Sequence, residues 1–390
     1  MGVLQSLLHV ILALQVTSFD LRVALQRFGL TAIISAGVVW LLMLPWIRRQ
    51  AYEFCINLHI VLGLFTIVTL WIHLKNRFDL DGYLLIGSLG LLGLTTLIQV
   101  VYQVYRNGRG LAVAEKEKLE GAVLLSFTPT RPWKVRAGQY IYLRIPAVRL
   151  LSFAESHPLN ILWWEENNTD EKASRITVLA KVESGFTRRL ESCPYNSLRI
   201  LLDGPYGKPK DTVHYDNFVF IATGIGISAQ LAYLKELIMR KDRGYRLRRV
   251  CLVWQVDQQA HDEWICDYMN QLLDLDKPEL VLRWALFVNS SPPTGYSTKG
   301  NGDFITESGR RGLEFYGKPD LKDILKNEVE LCPRKLLLVV SADPQTRDMC
   351  RYLALKQKKK IDFFETEFQP APAQGGFWAP EGGPIKSWEQ

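Results

Sequence analysis

The chain has 390 residues, 48% of them hydrophobic, and a formal charge of +7. That length suggests two or three domains, and a moderate charge with no basic groove interleaved with aromatics gives no sign of nucleic-acid binding. The six cysteines (55, 193, 251, 266, 332 and 350) form no Cys-x-x-Cys pair, which argues against a structural zinc site or a disulfide framework and fits a soluble part kept in a reducing compartment.

The long apolar runs lie almost entirely in the first 105 residues. Segment 3–19 is short for a membrane span, whereas 30–47, with Pro45 near its end, 54–74 and 83–104 are long enough. About four spans are therefore expected. Arg48 and Arg49 separate the second from the third, and Arg106 and Arg109 follow the fourth. The excess of Lys and Arg puts the 48–53 turn and everything after 105 in the cytosol. No Lys or Arg precedes Arg22, so the positive region of a signal peptide is missing. "MGVLQS" also fits a myristoylation pattern, and a third reading is that the chain starts late.

The third span, "NLHIVLGLFTIVTLWIHL" (57–74), carries His59 and His73 fourteen residues apart. Fourteen residues are close to four helical turns, so the two rings face nearly the same way, roughly 21 Å apart along the axis. Intramembrane histidine points to function. One reading gives each imidazole to a haem iron, the two haems stacked across the membrane. A second has each histidine hydrogen-bond a neighbouring helix. A proton relay is the third, but no intramembrane carboxylate accompanies the pair. In the first segment His9 is the candidate partner ligand.

From residue 121 the pattern changes. "GAVLLSF", "GQYIYLRIP", "SRITVLAKV" and "SLRILLD" are short β-rich runs split by turn signals, and they predict an antiparallel barrel over about 115–205. "NFVFIATGIGISAQLAYLKELIM" then reads as strand, glycine turn and helix, and "RRVCLVWQV" and "RKLLLVVSA" as further buried strands each followed by a helix. That alternation predicts a parallel sheet. Gly224 and Gly226 stand where backbone approaches a ligand at a helix N-terminus suited to phosphate, or they serve the turn geometry alone. The polar, glycine-rich stretch 288–318 reads as an exposed insertion, "KQKKK" (356–360) as a solvated surface, and the Pro/Gly-rich tail after 369 as disordered.

"RRQAYEFCINLH" (48–59) is similar to the segment entering the histidine-bearing span of the fungal ferric reductases, within the NADPH oxidase superfamily, with Tyr52, Glu53 and His59 at matching places. "AGQYIYLRIP" looks like that family's barrel strand, "SHPLN" stands where it has His-Pro-Phe-Ser/Thr, and "ESGFTRRL" resembles its Gly-Phe-Thr element. "DGPYG" is similar to its Gly-Pro-Tyr-Gly turn, "ATGIGIS" to its nucleotide-binding turn, and "FFETEF" to its C-terminal Glu and Phe. These motifs keep the family's order over residues 1–368.

The resemblance implies a fold of transmembrane helices (1–108), an FAD-binding β-barrel (109–210), an NADPH-binding α/β domain like that of ferredoxin-NADP reductase (211–369) and a tail (370–390). It implies FAD against His157, Pro158, Leu159 and Asn160, with Gly185, Phe186 and Thr187 opening a helix toward its pyrophosphate and Phe368 near the ring. It puts Gly204, Tyr206, Gly207, Thr223, Gly224, Gly226, Ser228 and Ser341 around NADPH, and His9, His59 and His73 on haem iron. The sequence departs from the family in four ways. The family has about two more spans upstream, and with the chain as given His9 pairs His73 while His59 lacks a partner. Leu159 and Asn160 replace an aromatic and a hydroxyl residue. "SADP" (341–344) replaces Cys-Gly-Pro, which predicts slower hydride transfer. Gln369 follows Phe368 where an aromatic usually ends the chain.

The expected activity is therefore electron transfer from cytosolic NADPH through FAD and haem b to an extracytoplasmic ferric chelate or other metal, in a multi-pass protein of the plasma membrane surrounded by lipid. Two alternatives stay open: a superoxide-producing oxidase, and a non-catalytic haem- or partner-binding protein with a decayed reductase half. A transporter is disfavoured because the spans show no inverted repeat.

Overall fold

The computed structural model describes residues 20–366, apart from 51, 75–79, 109, 149–155, 168–170, 242–243, 278–279, 290–301, 307–308, 333 and 359, together with residues 8, 11, 12 and 15. The chain divides into a helical unit that ends at Tyr102 and a second unit that runs from Gln103 to Pro370.

Among the described residues three helices are long and apolar enough to cross a membrane. They are α1 (Ala24–Leu42), α3 (Tyr52–Leu74) and α4 (Leu80–Asn107), with a short α2 (Pro45–Gln50) after the first. The expected first span, 3–19, lies mostly outside the described residues. The second, expected over 30–47, sits about one and a half turns earlier. It closes at Leu42, and Pro45 opens α2 instead, because proline cannot continue a helix but is at home in its first turn. α1 and α3 are joined by polar groups in otherwise apolar surfaces. Ser35 Oγ and Thr66 Oγ1 lie 2.8 Å apart, and Thr66 and Thr69 also donate back to Leu62 O and Phe65 O at 2.7 and 2.9 Å. No hydroxyl of these three is left to face hydrocarbon unpaired.

The last turn of α4 belongs to the second unit. Asn107 donates from Nδ2 to Leu202 O and accepts at Oδ1 from Leu202 N, both at 2.9 Å, while Gln103 donates to Asp203 Oδ2 at 3.2 Å. The strand that receives these bonds is part of a closed antiparallel barrel of β1 (Ala112–Leu119), β2 (Ala122–Phe127), β3 (Tyr140–Arg144), β4 (His157–Glu166), β5 (Ala173–Lys181) and β6 (Ser197–Tyr206), in the order β1-β2-β5-β4-β3-β6. Alternation along β1 buries Ala112, Ala114 and, unusually, Lys116. The Lys116 amine donates to Cys193 O and, at 3.3 Å, to Leu190 O. These carbonyls close the far end of α5 (Phe186–Ser192), where a cation complements the helix dipole.

A seven-stranded sheet follows, ordered β10-β11-β9-β8-β7-β12-β13 and parallel except at the β10 edge. Its strands are β7 (Asn217–Thr223), β8 (Arg249–Val256), β9 (Leu282–Val288), β10 (Gly302–Thr306), β11 (Gly309–Tyr316), β12 (Leu336–Ser341) and β13 (Ile361–Glu365). The helices α6 (Ile227–Lys241), α7 (Cys266–Leu275), α8 (Leu321–Leu331) and α9 (Pro344–Lys356) connect them. Asp320 and Asp343 cap α8 and α9 by accepting from the second and third backbone amides beyond them. The expectation of an exposed insertion over 288–318 is corrected in part, since this stretch supplies β10 and β11. Strand β11 pairs in parallel with β9, buries Glu314 and stacks Phe315 on Phe287 at 4.8 Å. Its "GRRGLEFY" lacks a strong strand signature and takes its conformation from the neighbour it pairs with.

Helix α6 is also the clamp between sheet and barrel. Gln230, wholly buried, donates to Ile221 O and Val339 O at 2.7 and 3.1 Å on the sheet side. On the barrel side Glu236 accepts from Ala137 N at 2.7 Å and Arg136 Nε at 3.1 Å, and pairs with Arg240. Glu236→Ala strands a buried amide and two guanidinium groups. We expect it to lower unfolding stability by about 2 kcal/mol, read as a lower urea midpoint, with Glu236→Gln keeping most of the loss away. An unchanged midpoint in the alanine variant would remove Glu236 from the clamp.

Candidate functional site

Register on the barrel decides what β4 can offer a ligand. Tyr140, Tyr142, Leu143 and Ile141 of β3 lie opposite Asn160, Pro158, His157 and Leu159. Ile141, Leu143 and Leu159 are in the core, so Pro158 and Asn160 share the opposite face with Tyr140 and Tyr142. Leu159, expected beside the flavin, therefore keeps its side chain inside the barrel at 2% exposure. The outer face carries three tyrosines: the ring centroids of Tyr140, Tyr142 and Tyr206 are 5.5–5.9 Å apart. Tyr206 donates its hydroxyl to Asp203 at 2.5 Å, and Asp203 is itself buried. An aromatic face of this size suits a flat ring system.

At the start of β4 His157 stacks on Phe186, with centroids 3.7 Å apart and planes 10° from parallel. Phe186 is buried beneath it. Gly185 precedes Phe186 with φ of +63° and ψ of −123°, a conformation only glycine adopts freely. Thr187 Oγ1 accepts from Glu183 N at 3.0 Å, which folds the chain tightly into α5. His157 and the consecutive Gly185, Phe186 and Thr187, predicted from two separated motifs, are thus gathered at one end of the barrel.

The second cluster stands at the topological switch of the sheet, where β8 and β9 lie to one side of β7 and β12 and β13 to the other. Ligands of such sheets bind beyond the carboxyl ends of the strands at this point. There Thr223 ends β7 and Ser341 ends β12, and Thr223 Oγ1 accepts from Asp343 N at 2.7 Å. Gly224 to Gly226 form a 3-10 turn leading into α6. A Cβ on Gly226 would fall 2.0 Å from Ser341 O. A Cβ on Gly224 would meet nothing within 4 Å, although its φ of +47° favours glycine. Trp254, which sequence reading missed, donates from Nε1 to Gly224 O at 2.9 Å and fixes the turn from β8. Ser228, expected at the nucleotide site, is buried in the first turn of α6. Ser341 is 1% exposed, and its Oγ has no hydrogen-bond partner among the described residues. A buried orphan hydroxyl beside a glycine notch fits a site whose remaining partner is a ligand.

Gly204, Tyr206 and Gly207 stay on the barrel. Gly207 has φ of +93°, and a Cβ there would come 2.8 Å from Gly138 O. Gly138 in turn lies under Tyr233 of α6, where a Cβ would reach 2.1 Å from the phenol oxygen. Burial holds the Tyr233 proton more tightly than usual. This stack brings the barrel turn and the helix after the glycine turn together. Gly138 lies within the barrel-strand motif "AGQYIYLRIP", whereas no family motif includes Tyr233.

In the helical unit His73 Nδ1 lies 2.7 Å from Leu25 O of α1, and its ring fills the space left by Gly29. That bond requires the Nδ1–H tautomer, which leaves Nε2 with its lone pair, the form in which histidine ligates a metal. It also fits the plainer reading of a histidine bonded to a neighbouring helix. His59 Nδ1 is buried without a hydrogen-bond partner among the described residues. His9 and Phe368 lie outside the described residues. Among the described residues no cluster of three or more His, Cys, Asp or Glu could by itself hold a metal ion; an axial haem ligand needs only one ring. All six cysteines are free, and burial pushes the thiols of Cys251 and Cys350 up to about 12, so neither is a nucleophile at neutral pH.

Two family models match the second unit. One described as an FAD-binding domain covers residues 122–210, and one described as a ferric reductase NAD binding domain covers 215–345. The chain is 26% identical over 309 residues to a probable cell surface ferric reductase of Aspergillus oryzae, with 74% of this chain and 40% of that protein covered. It is 28% identical over 219 residues to ferric reductase transmembrane component 3 of Saccharomyces cerevisiae, with 54% and 29% covered. The chain thus spans less than half the length of either relative. Among solved structures, a ferredoxin NADP+ reductase from Neisseria gonorrhoeae with bound FAD and NADP aligns at a TM-score of 0.44 and 14% identity, over 67% of this chain and 100% of that one.

Proposed function

The chain is a member of the fungal ferric reductase family, and on that premise we propose that it carries electrons from NADPH through FAD and haem across a membrane to a ferric chelate or another metal acceptor. The observation that carries the reading is the pairing of two sites in one unit: the glycine turn at the sheet's switch point and the tyrosine face of the barrel, joined through Tyr233 and Gly138. A flavin takes the two electrons of a hydride and releases them one at a time, which haem requires. Gly226 lets the glycine turn pack directly on the end of β12, and Ser341 offers its free hydroxyl there. Tyr140, Tyr142 and Tyr206 give the flavin ring an apolar wall, with Tyr206 held by Asp203. His73, and His59 on the same helix, would supply imidazole to haem, His73 with its ring orientation set by Leu25 O and Gly29. Arg48 and Arg49 before α3 and Arg106 and Arg109 after the last span support a cytosolic reductase half.

The test is anaerobic addition of NADPH to the full chain in native membranes. Bleaching of the flavin, then reduced-haem absorbance, then reduction of a ferric chelate is the expected order. Flavin that bleaches while haem stays oxidised would break the chain at the haem step. No bleaching at all would overturn the reading in favour of a non-catalytic membrane protein, and superoxide release without chelate reduction, when the assay is repeated in air, in favour of an oxidase.

Ser341 gives a narrower check. Ser341→Ala removes an orphan hydroxyl, so the ligand-free chain gains about 1 kcal/mol of stability. The same change weakens NADPH binding by about tenfold, equal to roughly 1.4 kcal/mol. Urea unfolding with and without NADPH reads both effects, and unchanged nucleotide stabilisation would exclude Ser341 from the site.

A further inference from the structure

Lys235 of α6 is 6% exposed, in the seam between the sheet and the barrel. Its amine donates to Trp164 O of β4 and lies over the rings of Trp163 and Trp164, 4.2 and 4.7 Å from their centroids. Both indoles are buried, Trp163 also packs on Tyr268 of α7 at 5.2 Å, and Trp164 Nε1 donates to Glu166 at 2.9 Å. β4 begins at His157, on the flavin side, and α6 begins at the nucleotide turn. An ammonium ion is thus held where these two elements meet, and any separation of them returns it to water.

We propose that Lys235 is a positioning residue that sets how readily the seam between flavin barrel and nucleotide sheet opens, and that opening takes up a proton on its amine. The proposal rests on the functional reading above only for what the seam aligns. Desolvation lowers the amine's pKa from 10.5 to about 8, with the carboxylates of Glu166 and Glu165 on β4 acting in the opposite direction. Tyr268, the titratable group on α7 that packs on Trp163, has its pKa raised by burial and stays neutral here. The sign follows. Below about pH 8 the amine is charged whether the seam is open or closed, and pH has no effect. Between there and the ordinary lysine value the closed seam releases a proton that the open seam keeps, so rising pH favours closure.

Hydrogen exchange of the full chain in detergent, corrected for intrinsic rates, reads seam opening at the β4 and α6 amides. The wild type should be about tenfold less open at pH 9 than at pH 7. Lys235→Met, a neutral side chain of similar length, should show little pH dependence and the tighter seam throughout. Lys235→Arg, charged at both values, should also be flat but no tighter than the wild type at pH 7. Wild-type opening that ignores pH, or a pH dependence kept in Lys235→Met, overturns the proposal even if NADPH bleaches the flavin. Failure of NADPH to bleach the flavin overturns the functional reading, while the exchange result still decides the role of Lys235.

Discussion

Gly226→Ala is expected to abolish NADPH-driven flavin reduction while leaving FAD bound. The new methyl carbon would sit 2.0 Å from Ser341 O and 2.8 Å from its carbonyl carbon. Neither neighbour can give way cheaply. Ser341 ends β12, which is paired on both sides, to β7 and β13, and the turn is held by Trp254 from β8. Relief must come from moving the turn itself, which carries the start of α6 with it. Overpacking of this kind costs about 1–3 kcal/mol, and displacement of the nucleotide should add a loss in kcat/KM of at least about a hundredfold, or roughly 2.7 kcal/mol. Gly224→Ala is the control. Its methyl group meets open space, so only the strain of φ +47° remains, about 1–2 kcal/mol. Stopped-flow flavin reduction should therefore rank wild type, Gly224→Ala and Gly226→Ala in that order, with equal flavin content in all three. Equal rates in the two variants would mean that the packing of Gly226 on Ser341 does not shape the nucleotide site.

The second large effect is expected in the helical unit. His73→Ala should remove the haem that His73 would ligate, seen as lost Soret absorbance, with the helical circular dichroism retained. Gly29→Leu should do the same without touching a ligand, because a side chain there displaces the His73 ring, two of whose atoms lie 2.7 Å from the Cβ position. If His73 only joins α3 to α1, the outcome differs. Its bond to Leu25 O would then be worth about 0.6 kcal/mol, the average for such contacts in membranes, and both variants would keep their full haem content. Matching loss in the two variants links ring orientation to ligation; loss in neither would leave the plainer reading of a helix–helix hydrogen bond.

Much of this architecture is readable from local pattern. "GAVLLSF" and "RKLLLVVSA" are short buried runs bounded by turn residues, and both are strands. "TGIGIS" is the turn that its glycines imply. What stays hidden depends on partners distant in sequence. β11 becomes a strand because β9 offers an edge, not because "GRRGLEFY" demands it. Leu159 looks like a flavin neighbour until the register with Ile141 turns it inward. Lys235 reads as the polar face of an amphipathic helix, and nothing in its neighbourhood announces two indoles supplied from 71 and 72 residues away. Gly29 is one glycine in an apolar run, and its role appears only when α3 lies beside α1.

The two-way bond between Asn107 and Leu202 has a consequence for anyone who wishes to produce the reductase half as a soluble protein. The composition change invites a cut near residue 109, just after the last apolar helix. A fragment starting there would leave Leu202 N and O without their side-chain partners at a buried position, a loss of about 1–3 kcal/mol for each, and would free one oxygen of Asp203 beneath Tyr206. A fragment starting at Gln103 keeps all three bonds. The natural seam for truncation therefore runs through the final turn of the helix rather than after it.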